Sequence, residues 1–126
     1  GGSWKYAYRL TGKDVYVTNS YRNMDYRLGR NATGFCYVTG LGTKSPKHPH
    51  HRLSVSDDIE DPIPGFLVGG PNPGQQDGAF YPTASPDESY VDTEDSYASN
   101  EVAINWNAAL VALASSLDAL AVYSVK

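Results

Sequence analysis

Apolar positions along this chain fall into two helical stretches separated by a long irregular one. Val17, Tyr21, Met24 and Leu28 recur at spacings of four, three and four, which is one face of an amphipathic helix. The pattern predicts a helix over about 12–28, with Thr11 as N-cap and Gly29 as the C-terminal stop. A short helical end is expected before it, around Trp4–Leu10. Near the other terminus, Val102, Trp106, Ala109, Leu110, Leu113, Leu117 and Leu120 keep helical spacing, predicting a helix over about 100–122. Alanines fill many of its remaining positions, so this helix is apolar over much of its circumference. Such a helix is expected to be buried on more than one side. Two helices and a loop cannot cover it, so the chain is expected to lack its neighbours.

The region between, about 29–99, holds all eight prolines. That density excludes a long helix or a regular central strand. The apolar stretches Phe35–Val38 and Phe66–Val68 fit short strands or buried turns. The segment is expected to be a folded, functional loop, since long loops in compact domains are functional or disordered. No internal repeat is visible, and 126 residues make one domain at most.

Composition narrows the function classes. A hydrophobic fraction of 40% with a net charge of −4 is ordinary for a globular chain and unlike intrinsic disorder. The ten Lys and Arg are scattered, mostly between Lys5 and Arg52, so no basic patch points to nucleic acid. The single cysteine, Cys36, allows no intrachain disulfide and no cysteine metal site. It lies in an apolar run and is expected to be a buried, inert thiol. No signal peptide and no apolar run long enough for a membrane span are expected. Gly1-Gly2-Ser3 resembles a cloning scar or a cut site, so the missing signal says little about location.

Two polar stretches carry candidate chemistry. In Lys47-His48-Pro49-His50-His51-Arg52, three histidines lie within four residues beside an arginine. Metal ligation needs convergent ligands, and consecutive His50 and His51 diverge on an extended backbone. Recognition of a hydroxyl-rich or anionic ligand suits an Arg–His pair better. The second stretch, Tyr90 to Glu101, is rich in carboxylates and hydroxyls and leads into the last helix. Anions near a helix N-terminus gain about 0.3–1 kcal/mol from the helix dipole, so Glu101 could be a capping residue of the first turn without chemistry.

Order and spacing add a second reading. Gly42, Lys44, Pro49, His50 and Arg52 match a Gly-x-basic, four residues, Pro-His-x-Arg pattern. Tyr90, Asp92, Tyr97, Glu101, Ala103, Asn107 and Ala108 match a second pattern downstream. Phe66-Leu67-Val68-Gly69-Gly70-Pro71 and Leu28-Gly29-Arg30-Asn31 add to the likeness. Together they resemble glycoside hydrolase family 9, over nearly the whole chain. Two departures stand out: Cys36 where the first pattern prefers Ser, Thr or Val, and Glu94 where many members carry Arg. The second puts in doubt any local ion pair with Asp92. The stretch Asn72–Asp77 looks like a bacterial branch.

The resemblance implies an all-α fold: the C-terminal part of a six-hairpin (α/α) toroid with a long Pro/Gly-rich active-site loop. It implies hydrolysis of β-1,4-glucan with inversion, which needs two carboxyl groups about 6.5–9.5 Å apart. By position Glu101 would be the general acid. Asp92 would hold the hydrogen-bond network around it. His50 and Arg52 would bind sugar hydroxyls at the cleavage point, with His51 and Tyr97 as further contacts. Tyr90 and Trp106 are also stacking candidates, though Trp106 sits in the apolar stripe and reads as core.

The catalytic base is expected from an Asp-Gly-Gly-Asp-like segment upstream. Asp57, Asp58 and Asp61 do not match it. The chain alone is therefore expected to be inactive, and to need an N-terminal part of the domain, in the same or a separate polypeptide. No cofactor is implied beyond a structural calcium in the parent enzyme, no nucleic-acid or membrane partner, and an extracellular or periplasmic location. Two other classes compete. Carbohydrate-binding modules are usually β-sandwiches, unlike these helical ends. A calcium-binding interaction module would use Asp87–Asp95, which lacks the glycine and ligand spacing of a calcium loop.

Overall fold

The computed structural model describes residues 2–56 and 58–124, so Asp57 lies outside the described residues. Among the described residues there are four helices: α1 (Gly2–Thr11), α2 (Asp14–Arg27), α3 (Arg52–Ser56) and α4 (Ile104–Ser124). α1 packs on α2, and both touch α4. The long middle segment is irregular apart from α3 and three isolated β-bridges among the described residues.

The start of α2 differs from the expected N-cap at Thr11. Thr11 is the last residue of α1, where its hydroxyl donates to the Ala7 carbonyl at 2.6 Å. Gly12 then turns the chain at φ +66°, a left-handed conformation that glycine adopts without steric cost. The N-cap position of α2 is Lys13, which makes no side-chain cap, and Asp14 in the first turn complements the helix dipole. Along the expected stripe, Val17 and Met24 are half-buried, but Tyr21 and Leu28 are exposed. The one buried residue of α2 is Ser20.

Beyond α2, Asn31 folds the chain back. Its amide donates to the Tyr26 and Phe35 carbonyls, and its oxygen accepts the Thr33 amide. The return lets the Tyr37 amide donate to the Arg27 carbonyl at 2.8 Å. The two apolar stretches then form the core. Cys36, Tyr37 and Val38 pack with Leu67, Val68 and Tyr90, joined by antiparallel bridges Val38–Leu67 and Val68–Val102. The rings of Tyr37 and Tyr90 meet edge-on at 5.0 Å. Burial pushes the Tyr37 phenol up to about 12, against the opposing effect of its hydrogen bond with Thr33. Next to this core, Gly40 has φ +70°, and a Cβ there would lie 2.6 Å from Pro64 Cβ.

α4 begins at Ile104, not near Asn100 as the spacing suggested, because Glu101 and Val102 are drawn into β-bridges. Asn107 staples this helix to the core. Its Oδ1 accepts the Leu67 amide at 2.8 Å, and its Nδ2 donates to the Leu67 carbonyl at 3.1 Å. One side chain thus serves both main-chain groups of Leu67, as a neighbouring strand would. Leu113 and Leu117 are buried, whereas Ile104, Val111 and Val122 are 91%, 64% and 60% exposed. Most of the apolar circumference of α4 is thus uncovered by this chain. By length and composition Ile104–Val122 is sufficient to cross a membrane, which corrects the expectation that no run is long enough. The core helix of a soluble domain meets the same criterion.

Candidate functional site

The two polar stretches meet in space through main-chain pairing. The His50 amide donates to the Asn100 carbonyl at 2.9 Å, and the Val102 amide donates to the His50 carbonyl at 3.5 Å. Glu101 is therefore held opposite His50 in a parallel bridge. Its own carbonyl accepts the Gly69 amide at 3.1 Å. Glu101 is half-buried and lies ahead of α4, outside its first turn, so the helix-capping reading fails.

Asp92 latches the histidine stretch from behind. Its Oδ2 accepts the Lys47 amide at 2.7 Å, and its Oδ1 accepts the His48 amide at 3.0 Å. Oδ1 also accepts Asn100 Nδ2 at 3.0 Å. A carboxylate taking three N–H donors is a strong, charge-assisted anchor. No ion pair with Glu94 is possible, since both are acids; the position that often holds Arg contributes its main chain instead. The Glu94 carbonyl pairs with Nδ1 of His50, so Nδ1 carries the proton and Nε2 is left for other partners. The Lys47 ammonium turns away to Asp61, at 2.6 Å.

His50, His51, Arg52, Val55, Ser56, Glu94 and Asp95 line one open cavity of about 570 Å³. The only ion pairs among the described residues are Arg30–Asp25 and Lys47–Asp61. Arg52, Glu94 and Asp95 line this cavity and form no ion pair among the described residues. His51 is set by Ser54, 2.9 Å from its Nδ1, and by the Phe66 ring at 4.9 Å. Tyr97 stands beside the cavity: its ring is 6.3 Å from that of His50, 47% exposed, and its hydroxyl donates to the Gln76 carbonyl. The cavity offers hydrogen-bond donors and acceptors, with the exposed Tyr97 ring next to His50 at its side, a set suited to a polyhydroxylated ligand.

Other candidates fall elsewhere. Tyr90 is 6% exposed, and its hydroxyl donates to Asn100 Oδ1 at 2.7 Å. It is a core residue and cannot stack on a sugar. Trp106 lines a separate cavity of about 580 Å³ between α2 and α4, away from the histidines. Among the described residues, no three His, Cys, Asp or Glu side chains converge as metal ligands. Asp92, inside the stretch weighed as a calcium loop, already has both oxygens engaged by N–H groups.

Two residues here escaped the sequence reading. Asn100 is fully buried, and its Nδ2 reaches the His48 carbonyl at 2.7 Å as well as Asp92. Asp77 organises the strap that carries Tyr97. Its Oδ2 accepts the Tyr81 and Ser96 hydroxyls and the Ala98 amide, and its Oδ1 accepts the Ala79 amide. Burial raises the Asp77 pKa, but these hydrogen bonds outweigh it and hold the carboxyl below its usual range.

The family model for glycosyl hydrolase family 9 matches residues 4–114. The chain is 93% identical over its whole length to a xyloglucan-specific endo-beta-1,4-glucanase of Bacteroides ovatus, of which it covers 22%. It is 42% identical over 105 residues to endoglucanase D of Acetivibrio thermocellus, covering 83% of this chain and 15% of that one. A solved Bacteroides ovatus family 9 structure superposes with a TM-score of 0.84 at 83% identity, over 95% of this chain and 20% of that one. A metagenome-derived family 9 endoglucanase superposes at 0.79 with 39% identity, over 92% and 22%. The chain belongs to glycosyl hydrolase family 9. It spans about a fifth of the length of these relatives.

Proposed function

We propose that this chain is the acid side of the active site in an inverting endo-β-1,4-glucanase, within the C-terminal part of a helical toroid. Glu101 donates the proton to the departing glycosidic oxygen. A carboxylate from the remainder of the domain takes a proton from water, whose oxygen attacks the anomeric carbon from the opposite face. The glycosidic bond breaks as the new bond forms, and the configuration inverts. His50 and Arg52 hydrogen-bond to sugar hydroxyls at the cleavage point, with His51 and Tyr97 alongside, and Asp92 holds the loop that carries the histidines. The observation that carries this reading is the main-chain pairing of Glu101 with His50, a residue that lines the open cavity together with His51 and Arg52.

Xyloglucan is the proposed substrate, by likeness to the 93% identical Bacteroides ovatus enzyme. A polymeric substrate implies an enzyme acting outside the cytoplasm. The test is Glu101→Gln in the complete enzyme. On an unactivated xyloglucan oligosaccharide, kcat should fall about a hundred- to ten-thousandfold. On an aryl glycoside whose phenolate leaves without a proton, the loss should be much smaller. Equal losses on both substrates would remove Glu101 from the general-acid role.

A further inference from the structure

Two segments about fifty residues apart are held in register by one buried side chain. Asn100 is 0% exposed. Its Nδ2 donates to the His48 carbonyl at 2.7 Å, to Asp92 Oδ1 at 3.0 Å and to the Thr93 carbonyl at 3.3 Å. Its Oδ1 accepts the Tyr90 hydroxyl at 2.7 Å. Its main-chain carbonyl accepts the His50 amide at 2.9 Å, and its main-chain amide donates to the Ser96 carbonyl at 3.0 Å. Every polar group of Asn100 is therefore used, by partners on both candidate segments.

Glu101 follows directly, and the residues on either side of it both bond to the His50 main chain. The position of the Glu101 backbone against His50 is thus fixed by where Asn100 is anchored. No other residue type reproduces this set. Aspartate has the shape but no N–H, and it would bring a second carboxylate to where 3.0 Å now separates Nδ2 from Asp92 Oδ1. Serine and alanine leave the His48 carbonyl without its donor in a site closed to water.

We propose that Asn100 is a positioning residue for catalysis: it sets Glu101 at the distance and angle from which its proton reaches the leaving oxygen. This rests on the general-acid reading of Glu101, and the experiment separates the two. Asn100→Asp, Glu101→Gln and the parent are compared in the complete enzyme, with folding checked by circular dichroism. Each is assayed on a xyloglucan oligosaccharide and on an aryl glycoside with a good leaving group. A misplaced acid should lower kcat of Asn100→Asp about a hundredfold on the oligosaccharide, with KM little changed. On the aryl glycoside kcat should fall less than about tenfold, because departure there needs no proton. A purely structural role would scale both substrates equally.

Glu101→Gln serves as the reference. If it shows no leaving-group difference, the general-acid reading fails and the proposal with it. If it shows one and Asn100→Asp does not, Asn100 is structural only and the proposal alone falls. Should Asn100→Asp not fold, Tyr90→Phe removes only the donor to Asn100 Oδ1. A smaller difference of the same sign is then expected, and its absence overturns the proposal.

Discussion

Asp92→Asn keeps the shape of the latch and removes its charge. The amide can retain one oxygen only, and it must turn an NH2 toward an existing donor. Facing that group to Lys47 sacrifices one hydrogen bond; facing it to His48 and Asn100 sacrifices two, so the first orientation is favoured. A hydrogen bond to a charged group contributes about 1.5–3 kcal/mol and a neutral one about 0.5–1.5 kcal/mol. One bond is then lost outright and two fall from the charged to the neutral class. Allowing for the half-buried setting of Asp92, the latch should weaken by about 3 kcal/mol. The readout should be local: amide hydrogen exchange of the Lys47–His48 segment in the complete enzyme. Opening of this segment should become about a hundredfold more frequent, while exchange in α4 is unchanged. Protection at Lys47 and His48 equal to that of the parent would show that the carboxylate does not hold the loop.

Other perturbations probe the scaffold. Asn107→Ala strips both main-chain groups of Leu67 of their partners in a site where Leu67 is 8% exposed, and should cost about 3 kcal/mol; a melting temperature within error of the parent would refute the staple. Asp77→Asn tests a pH dependence. Because the folded-state pKa of Asp77 is held below its ordinary 3.8, its stabilisation is fully present above that value and is lost as pH falls through the lower folded-state one. The gap in melting temperature between parent and variant should therefore be full near neutrality and close below about pH 4. A gap constant from pH 3 to 7 would contradict this.

Local pattern located what local forces decide. The helical spacing from Val17 to Leu28 found α2 to within a few residues, and the runs at 35–38 and 66–68 lie in the core as apolar runs should. The errors arose where distant partners intervene. Thr11 has the composition of an N-cap, but its hydroxyl is taken by Ala7 one turn back, and Gly12 makes the break. Glu101 and Val102 continue the spacing of α4, yet pairing with His50 and Val68 pulls them out of it. The same holds at the site. Spaced motifs singled out Asp92 and Glu101, but the work of Asn100 and Asp77 depends on atoms that chain order does not reveal. Tyr21, Ile104 and Val111 continue the apolar pattern and are nonetheless exposed, because no other element among the described residues packs over them.

The bond from Asn100 to His48 closes a loop of 52 residues. Contacts of such sequence separation raise contact order, and their closure entropy must be met before the contact returns any energy. α1 and α2, whose hydrogen bonds are local, can form without closing a long loop, whereas the pairing of Glu101 with His50 must close one of about fifty residues. A substitution in that segment that delays loop closure therefore slows the pairing of Glu101 with His50, even where the folded structure is unchanged.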